Sequence, residues 1–181
     1  MIIIEGMDNS GKSTLAATLS ASTGTPIEHS PSHLVRDGKF DEWLFWIEWS
    51  MLREREHYIF DRHPITSEPV YGPVLRKVDL LSTTHYLVEL QRLEPLIIFC
   101  RPPTENIFNF QKEEAEGVIE HKVELLHAYD DFMSKLMQAR FHVHKYDYTR
   151  EEADSSILPK VIRHLEGKPS FVVIQGGKVD G

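Results

Sequence analysis

Gly6-Met-Asp-Asn-Ser-Gly11-Lys12-Ser13 matches G-x-x-x-x-G-K-S/T at every fixed position. What flanks it decides the fold. Residues 1–4 form an apolar run too short for a helix, while residues 12–22 carry Leu15 and Leu19 on one helical face. A strand, a glycine turn and a helix in that order make a phosphate cradle. The glycines allow backbone angles that turn successive N–H groups inward. The helix opening near Lys12 adds the positive end of its dipole. Lys12 can reach the β- and γ-phosphates of a nucleoside triphosphate, and the Ser13 hydroxyl can ligate Mg²⁺. Gly6, Asn9, Ser10, Gly11, Lys12, Ser13 and Thr14 are therefore the expected ATP-binding residues.

The rest of the chain repeats this alternation. Extended segments are expected near residues 26–29, 57–61, 96–100 and 141–146, and helical spacing marks 40–56, 82–93, 113–138 and 157–165. Strands separated by helices imply a three-layer α/β fold of the P-loop NTPase type, with a central, mostly parallel five-stranded sheet. Ligands of such sheets sit beyond the carboxyl ends of the strands. Residues 1–167 read as one domain of this fold, with a lid at about 103–121. Residues 168–181 read as a tail, whose apolar run at 171–174 is an edge strand or an oligomer contact.

Bulk properties narrow the partners. A chain of 181 residues, 41% hydrophobic and 27% charged, has the composition of an ordinary globular domain. The net charge of −8 disfavours non-specific nucleic-acid binding, which needs many Lys and Arg contacts to phosphate. A local cluster of donors can still hold an anionic small molecule. No apolar run approaches the ~20 residues of a membrane span. Residues 1–5 lack the basic segment of a signal peptide. The single Cys100 rules out an internal disulfide, fits a cytoplasmic compartment and reads as a small buried residue.

At this point the chain resembles the thymidylate kinases. Glu5-Gly6-Met7-Asp8-Asn9-Ser10-Gly11-Lys12-Ser13-Thr14 is similar to that family's loop, E-G-x-D-x-x-G-K-S/T-T, and Asp61-Arg62-His63 to its D-R-Y/H. Residues 117–129, with their Glu, Val and Tyr spacing, resemble the helix after the lid. The short length and compressed middle look like a bacteriophage version. The resemblance implies an ATP- and Mg²⁺-dependent nucleoside-monophosphate kinase that acts as a homodimer on a nucleotide, dTMP first. It also implies that Asp8 contacts the sugar 3′-hydroxyl of the acceptor and that Arg62 grips its phosphate. Independently of the family, Asp61 ends an apolar strand and can hold Mg²⁺ through water. Arg62 beside it offers a planar fork suited to phosphate.

The sequence departs from the family in three places. Thr66 lies five residues after Asp61 and Tyr71 ten after, where the family has serine at five and tyrosine at nine. The segment 63–72 is expected to be a loop over the acceptor. Trp43, Trp46 and Trp49 occupy the stretch where the family has an Arg-containing helix, with Arg53 and Arg55 nearer the strand. Trp43 or Trp46 can stack the acceptor base or serve as core. The extra cation that phosphoryl transfer wants is missing from the loop, leaving Arg101 and Lys112 as candidates. Tyr148 and Arg150 follow the last strand, where they can border the adenine. The pair His142 and His144 is a possible but incomplete metal site.

Two rivals remain. A nucleoside kinase, acting on a sugar hydroxyl, needs a carboxylate base, and Glu28 could supply it. A P-loop switch or motor is the other, against which stand the absence of N-K-x-D and the Arg62 after Asp61.

Overall fold

β1 (Ile2–Glu5) lies at the centre of a five-stranded sheet ordered β2-β3-β1-β4-β5, in which every neighbouring pair is parallel. Its partners are β3 (Ile59–Asp61) and β4 (Leu96–Cys100), with β2 (Ile27–His29) and β5 (His142–Tyr146) at the two edges. The computed structural model describes residues 1–52, 57–81, 83–109 and 118–167. Arg53, Arg55, Lys112, the middle of the expected lid and the tail 168–181 fall outside them. β1 is wholly apolar until Glu5 because a central parallel strand is buried on both faces.

Alternation along the strands divides the core in two. Ile2, Ile4, Ile59, Ile98 and Cys100 face α1 (Lys12–Thr23) and α9 (Leu158–Glu166). Ile3, Phe60, Ile97 and Phe99 face the opposite layer. That layer includes α3 (Phe40–Leu52), α4 (Pro64–Tyr71), α5 (Thr83–Arg92) and α7 (Lys122–Gln138). The shorter helices α2 (Ser32–Arg36), α6 (Thr104–Phe108) and α8 (Ala153–Ser156) sit in the connections.

Residues 64–71 form a helix rather than the expected loop. Pro64 takes the first helical position, where its missing N–H and fixed φ cost nothing. The His63 Nδ1 accepts from the Ile65 N–H at 3.3 Å and so caps the helix. A five-residue π-helical segment, Gly72–Arg76, continues it. Of the helix expected over 113–138, residues 113–117 lie outside the described residues, 118–121 form a turn, and α7 runs Lys122–Gln138.

His63 is locked by burial. Its Nδ1 is an acceptor, so Nε2 carries the proton and donates to Ser50 Oγ at 2.9 Å. Ser50 in turn donates to the Ile47 carbonyl at 2.7 Å. Burial pushes the imidazole down to about 3, which keeps it neutral.

Candidate active site

The turn after β1 has the geometry of a phosphate cradle. Gly6 and Gly11 adopt φ of 143° and 87°, angles that disfavour a side chain, and Asn9 is also left-handed at 64°. A Cβ on Gly6 would come within 2.5 Å of the Cys100 carbonyl oxygen, so the loop packs directly on the end of β4. One on Gly11 would meet Tyr148 Cδ1 at 2.9 Å, which puts the Tyr148 ring against the loop. The Lys12 ammonium folds back to donate to the Met7 carbonyl at 2.6 Å. Burial, together with the nearby Arg62 charge, pushes it down to about 8. Lys12 is therefore a poorly solvated cation that an incoming phosphate would restore.

Asp61, at the end of β3, is directed to the α1 side and accepts from the Ser13 hydroxyl at 2.8 Å. Two hard oxygen ligands beside a phosphate loop fit Mg²⁺, which keeps several waters and takes few protein oxygens. Among the described residues no group of three or more His, Cys, Asp and Glu could hold a metal. A cation at Ser13 and Asp61 would take the rest of its shell from water or substrate phosphate.

One residue later the chain turns sharply. Arg62 is left-handed at φ 67°, an arrangement that costs about 1–2 kcal/mol in a residue with a side chain. Its backbone N–H donates to the Ile4 carbonyl at 3.0 Å. Its guanidinium gathers groups from three elements. Nη2 donates to Asp8 Oδ1 at 2.5 Å, and Nη1 donates to the Tyr71 hydroxyl at 2.6 Å and the Tyr129 hydroxyl at 2.8 Å. Its carbon also stands 5.0 Å from the Tyr71 ring centre. Burial raises both phenols above their usual value, so both keep their protons.

Behind this cluster, Glu5 is completely buried at the end of β1. Its Oε2 accepts from the Tyr129 hydroxyl at 3.1 Å. Its Oε1 accepts from the His63 N–H at 3.0 Å and the Thr66 hydroxyl at 2.7 Å. Among the described residues two cations, Lys12 and Arg62, thus face three carboxylates, Glu5, Asp8 and Asp61, at this end of the sheet. A polyphosphate placed there brings more negative charge still, and Mg²⁺ is the natural complement.

Solved structures with this arrangement of elements are numerous. The YorR protein of Bacillus subtilis, solved in complex with phosphorylated GDP, aligns with a TM-score of 0.71 at 23% identity over 91% of this chain and 95% of its own. Deoxyadenosine kinase from M. mycoides with bound dATP aligns at 0.56 and 20% identity, over 91% and 98%. Shikimate kinase from Aquifex aeolicus aligns at 0.55 and 17%, over 92% and 96%. The chain has the fold of the P-loop kinases. No protein-family model matches the sequence, and no curated protein matches it.

Within the P-loop kinase fold, the predicted residues divide into those that meet and those that do not. Lys12, Ser13, Asp61, Asp8, Arg62 and Tyr71 converge at the carboxyl end of the sheet. Trp43 does not join them. It is 3% exposed and belongs to the core, so it has no open ring face for a base. Trp46 is half-buried and packs its ring 5.5 Å from His63 and edge-on to Phe60 at 5.9 Å. Arg101 is committed elsewhere. Its fork donates to both Asp130 oxygens, with Nε at 2.9 Å and Nη2 at 3.0 Å, and its Nη1 to the Pro102 carbonyl. Arg150 is mostly exposed and lies 3.4 Å from Asp147.

The sequence reading missed the carboxylate of Glu5 as the hub of the cluster, and with it Tyr129 and Thr66. A cavity of about 300 Å³ lies at the other end of the sheet, lined by Glu94, Leu96, His142, Lys160, Arg163, His164 and Gly167. Arg163 and His164 occupy the last turn of α9, where a cation offsets the helix dipole, which accounts for the basic character of that cavity.

Proposed function

We propose that this chain is an ATP-dependent kinase that moves the γ-phosphoryl group onto the 5′-phosphate of a deoxynucleoside monophosphate, dTMP first. The observation that carries the reading is Arg62. Its guanidinium is fixed next to Asp8 and the phosphate loop, on the side of the sheet away from α1. A planar fork there suits a second phosphate, distinct from the one the loop cradles. Lys12 would leave the Met7 carbonyl for the β- and γ-phosphates. Ser13 and Asp61 would hold Mg²⁺, which would offset the negative charge of the triphosphate. Arg62 would hold the acceptor phosphate in line, and Asp8 would take the sugar 3′-hydroxyl. No general base is needed, because a monophosphate oxygen is already a nucleophile. Catalysis then rests on positioning and on charge stabilisation.

One observation favours a second reading, transfer to a nucleoside hydroxyl. Glu28 pairs with Phe60 in the β2–β3 register, so it is on the Phe60 face of the sheet and not on the face of Asp61 and Ser13. A carboxylate on that face could serve as a base. One assay separates the two readings: ADP formation from Mg-ATP with each deoxynucleoside monophosphate, each nucleoside and no acceptor. Turnover with monophosphates supports the first reading, and turnover with nucleosides alone supports the second. Hydrolysis indifferent to acceptor contradicts both.

A further inference from the structure

We infer that Glu5, acting through the Tyr129 hydroxyl, is the positioning residue that aims Arg62 at the acceptor. The inference rests on the acceptor-side role of Arg62 proposed above. It starts from a difficulty. A long side chain on a left-handed residue just past a strand end has no regular neighbour to fix it, yet phosphate transfer loses rate steeply when a clamp is misplaced by about 1 Å.

Among the described residues three groups hydrogen-bond the guanidinium, and they differ in how well they are anchored. Asp8 belongs to the phosphate loop and is about one-third exposed. Tyr71 sits where α4 passes into its π-helical extension. Tyr129 is tied to the sheet. It is completely buried, its ring stacks on Phe99 of β4 at 6.0 Å with the planes 21° apart, and its hydroxyl donates to Glu5. The next residue along α7, Asp130, takes the bidentate bond from Arg101 at the end of β4. Both ends of the Tyr129 contact are therefore carried by the central strands.

The chemistry explains why a carboxylate stands behind the phenol. A tyrosine hydroxyl has one proton, and it can accept from Arg62 only if that proton points elsewhere. Glu5 accepts it, leaving the oxygen lone pairs for the Arg62 Nη1. The other Glu5 oxygen is fixed by the His63 N–H and the Thr66 hydroxyl, so the carboxylate cannot swing away. A glutamine in its place would turn an NH₂ donor toward either Tyr129 or the His63 N–H, and one of the two bonds would be lost.

The test compares Tyr129→Phe, Glu5→Gln, Arg62→Ala and the double variant Tyr129→Phe/Arg62→Ala. For each, kcat/KM for dTMP, KM for Mg-ATP and calorimetric affinity for dTMP are measured, with circular dichroism melts to check folding. Tyr129→Phe should lower kcat/KM and affinity for dTMP about tenfold, the cost of one hydrogen bond to a charged group, while KM for Mg-ATP stays within about twofold. In the Arg62→Ala background the same change should cost nothing further, because residues acting through one another are not additive. Glu5→Gln should follow Tyr129→Phe, and normal dTMP kinetics in a folded Glu5→Gln overturn the role of Glu5; if it fails to fold, Glu5→Asp, whose shorter carboxylate is drawn back from Tyr129, takes its place in the comparison. Normal dTMP kinetics in Tyr129→Phe, or a loss that adds to that of Arg62→Ala, overturns the inference while the role of Arg62 stands. Normal dTMP handling by Arg62→Ala overturns both together.

Discussion

Lys12 should change its protonation when a nucleotide binds, and the change can be sized. In the free protein its ammonium is buried, shares the site with the Arg62 charge and loses its proton at about 8. Phosphates delivered by the loop would return it toward the ordinary lysine range. At pH 8.5 only about a quarter of the free protein then carries the Lys12 proton, so binding should take up about 0.7 proton per nucleotide; at pH 7 the uptake falls to about 0.1. By the same linkage, affinity should fall about tenfold between pH 7 and pH 9. ADP is the suitable ligand, because its phosphates are already ionised across this window. Calorimetric titrations in buffers of contrasting ionisation enthalpy give the uptake directly, and in Lys12→Met the uptake should vanish from whatever binding survives. Nucleotide binding with no proton uptake at pH 8.5 in the natural chain would refute the reasoning.

Three further outcomes follow from the packing. Gly6→Ala should cost about 2–4 kcal/mol in a denaturant titration, since its Cβ meets the backbone oxygen of Cys100 and not a movable side chain. His63 is neutral in the fold down to about 3, whereas in the unfolded chain it takes its proton near 6.5, so the unfolded state binds more protons between those values. Stability should therefore fall by about 2–3 kcal/mol from pH 6.5 to pH 4.5, and a His63→Gln variant should lose that share of the slope. Cys100 is buried, and burial pushes its thiol up to about 12, so thiol reagents should label it only after denaturation.

Much of the fold was legible because it depends on local pattern. The glycine loop between an apolar run and a helical segment announced β1 and α1, and four further extended segments, not all of them apolar, gave the remaining strands in order. The helix at 64–71 is not legible from the family pattern, in which this stretch covers the acceptor, and its local signal is Pro64 at the first helical position. The tryptophans of α3 were ambiguous, since helical spacing alone cannot separate a core face from a pocket wall, and Trp43 proved to be core. Arg101 read as a candidate cation because its partner Asp130 stands 29 residues away. Glu5 carries no signal in the sequence beyond its place in the loop motif. Its partners come from 58, 61 and 124 residues along the chain, a separation no periodicity reports.

The most direct test of the account follows the labelled phosphate itself. The chain is incubated with γ-³²P-ATP, Mg²⁺ and dTMP, and the products are separated by ion-exchange chromatography, with Lys12→Ala run in parallel. The account predicts label in dTDP, formed at a rate that depends on dTMP and collapses in Lys12→Ala. Label found only in inorganic phosphate, at a rate indifferent to dTMP, would contradict it, as would near-normal transfer by Lys12→Ala.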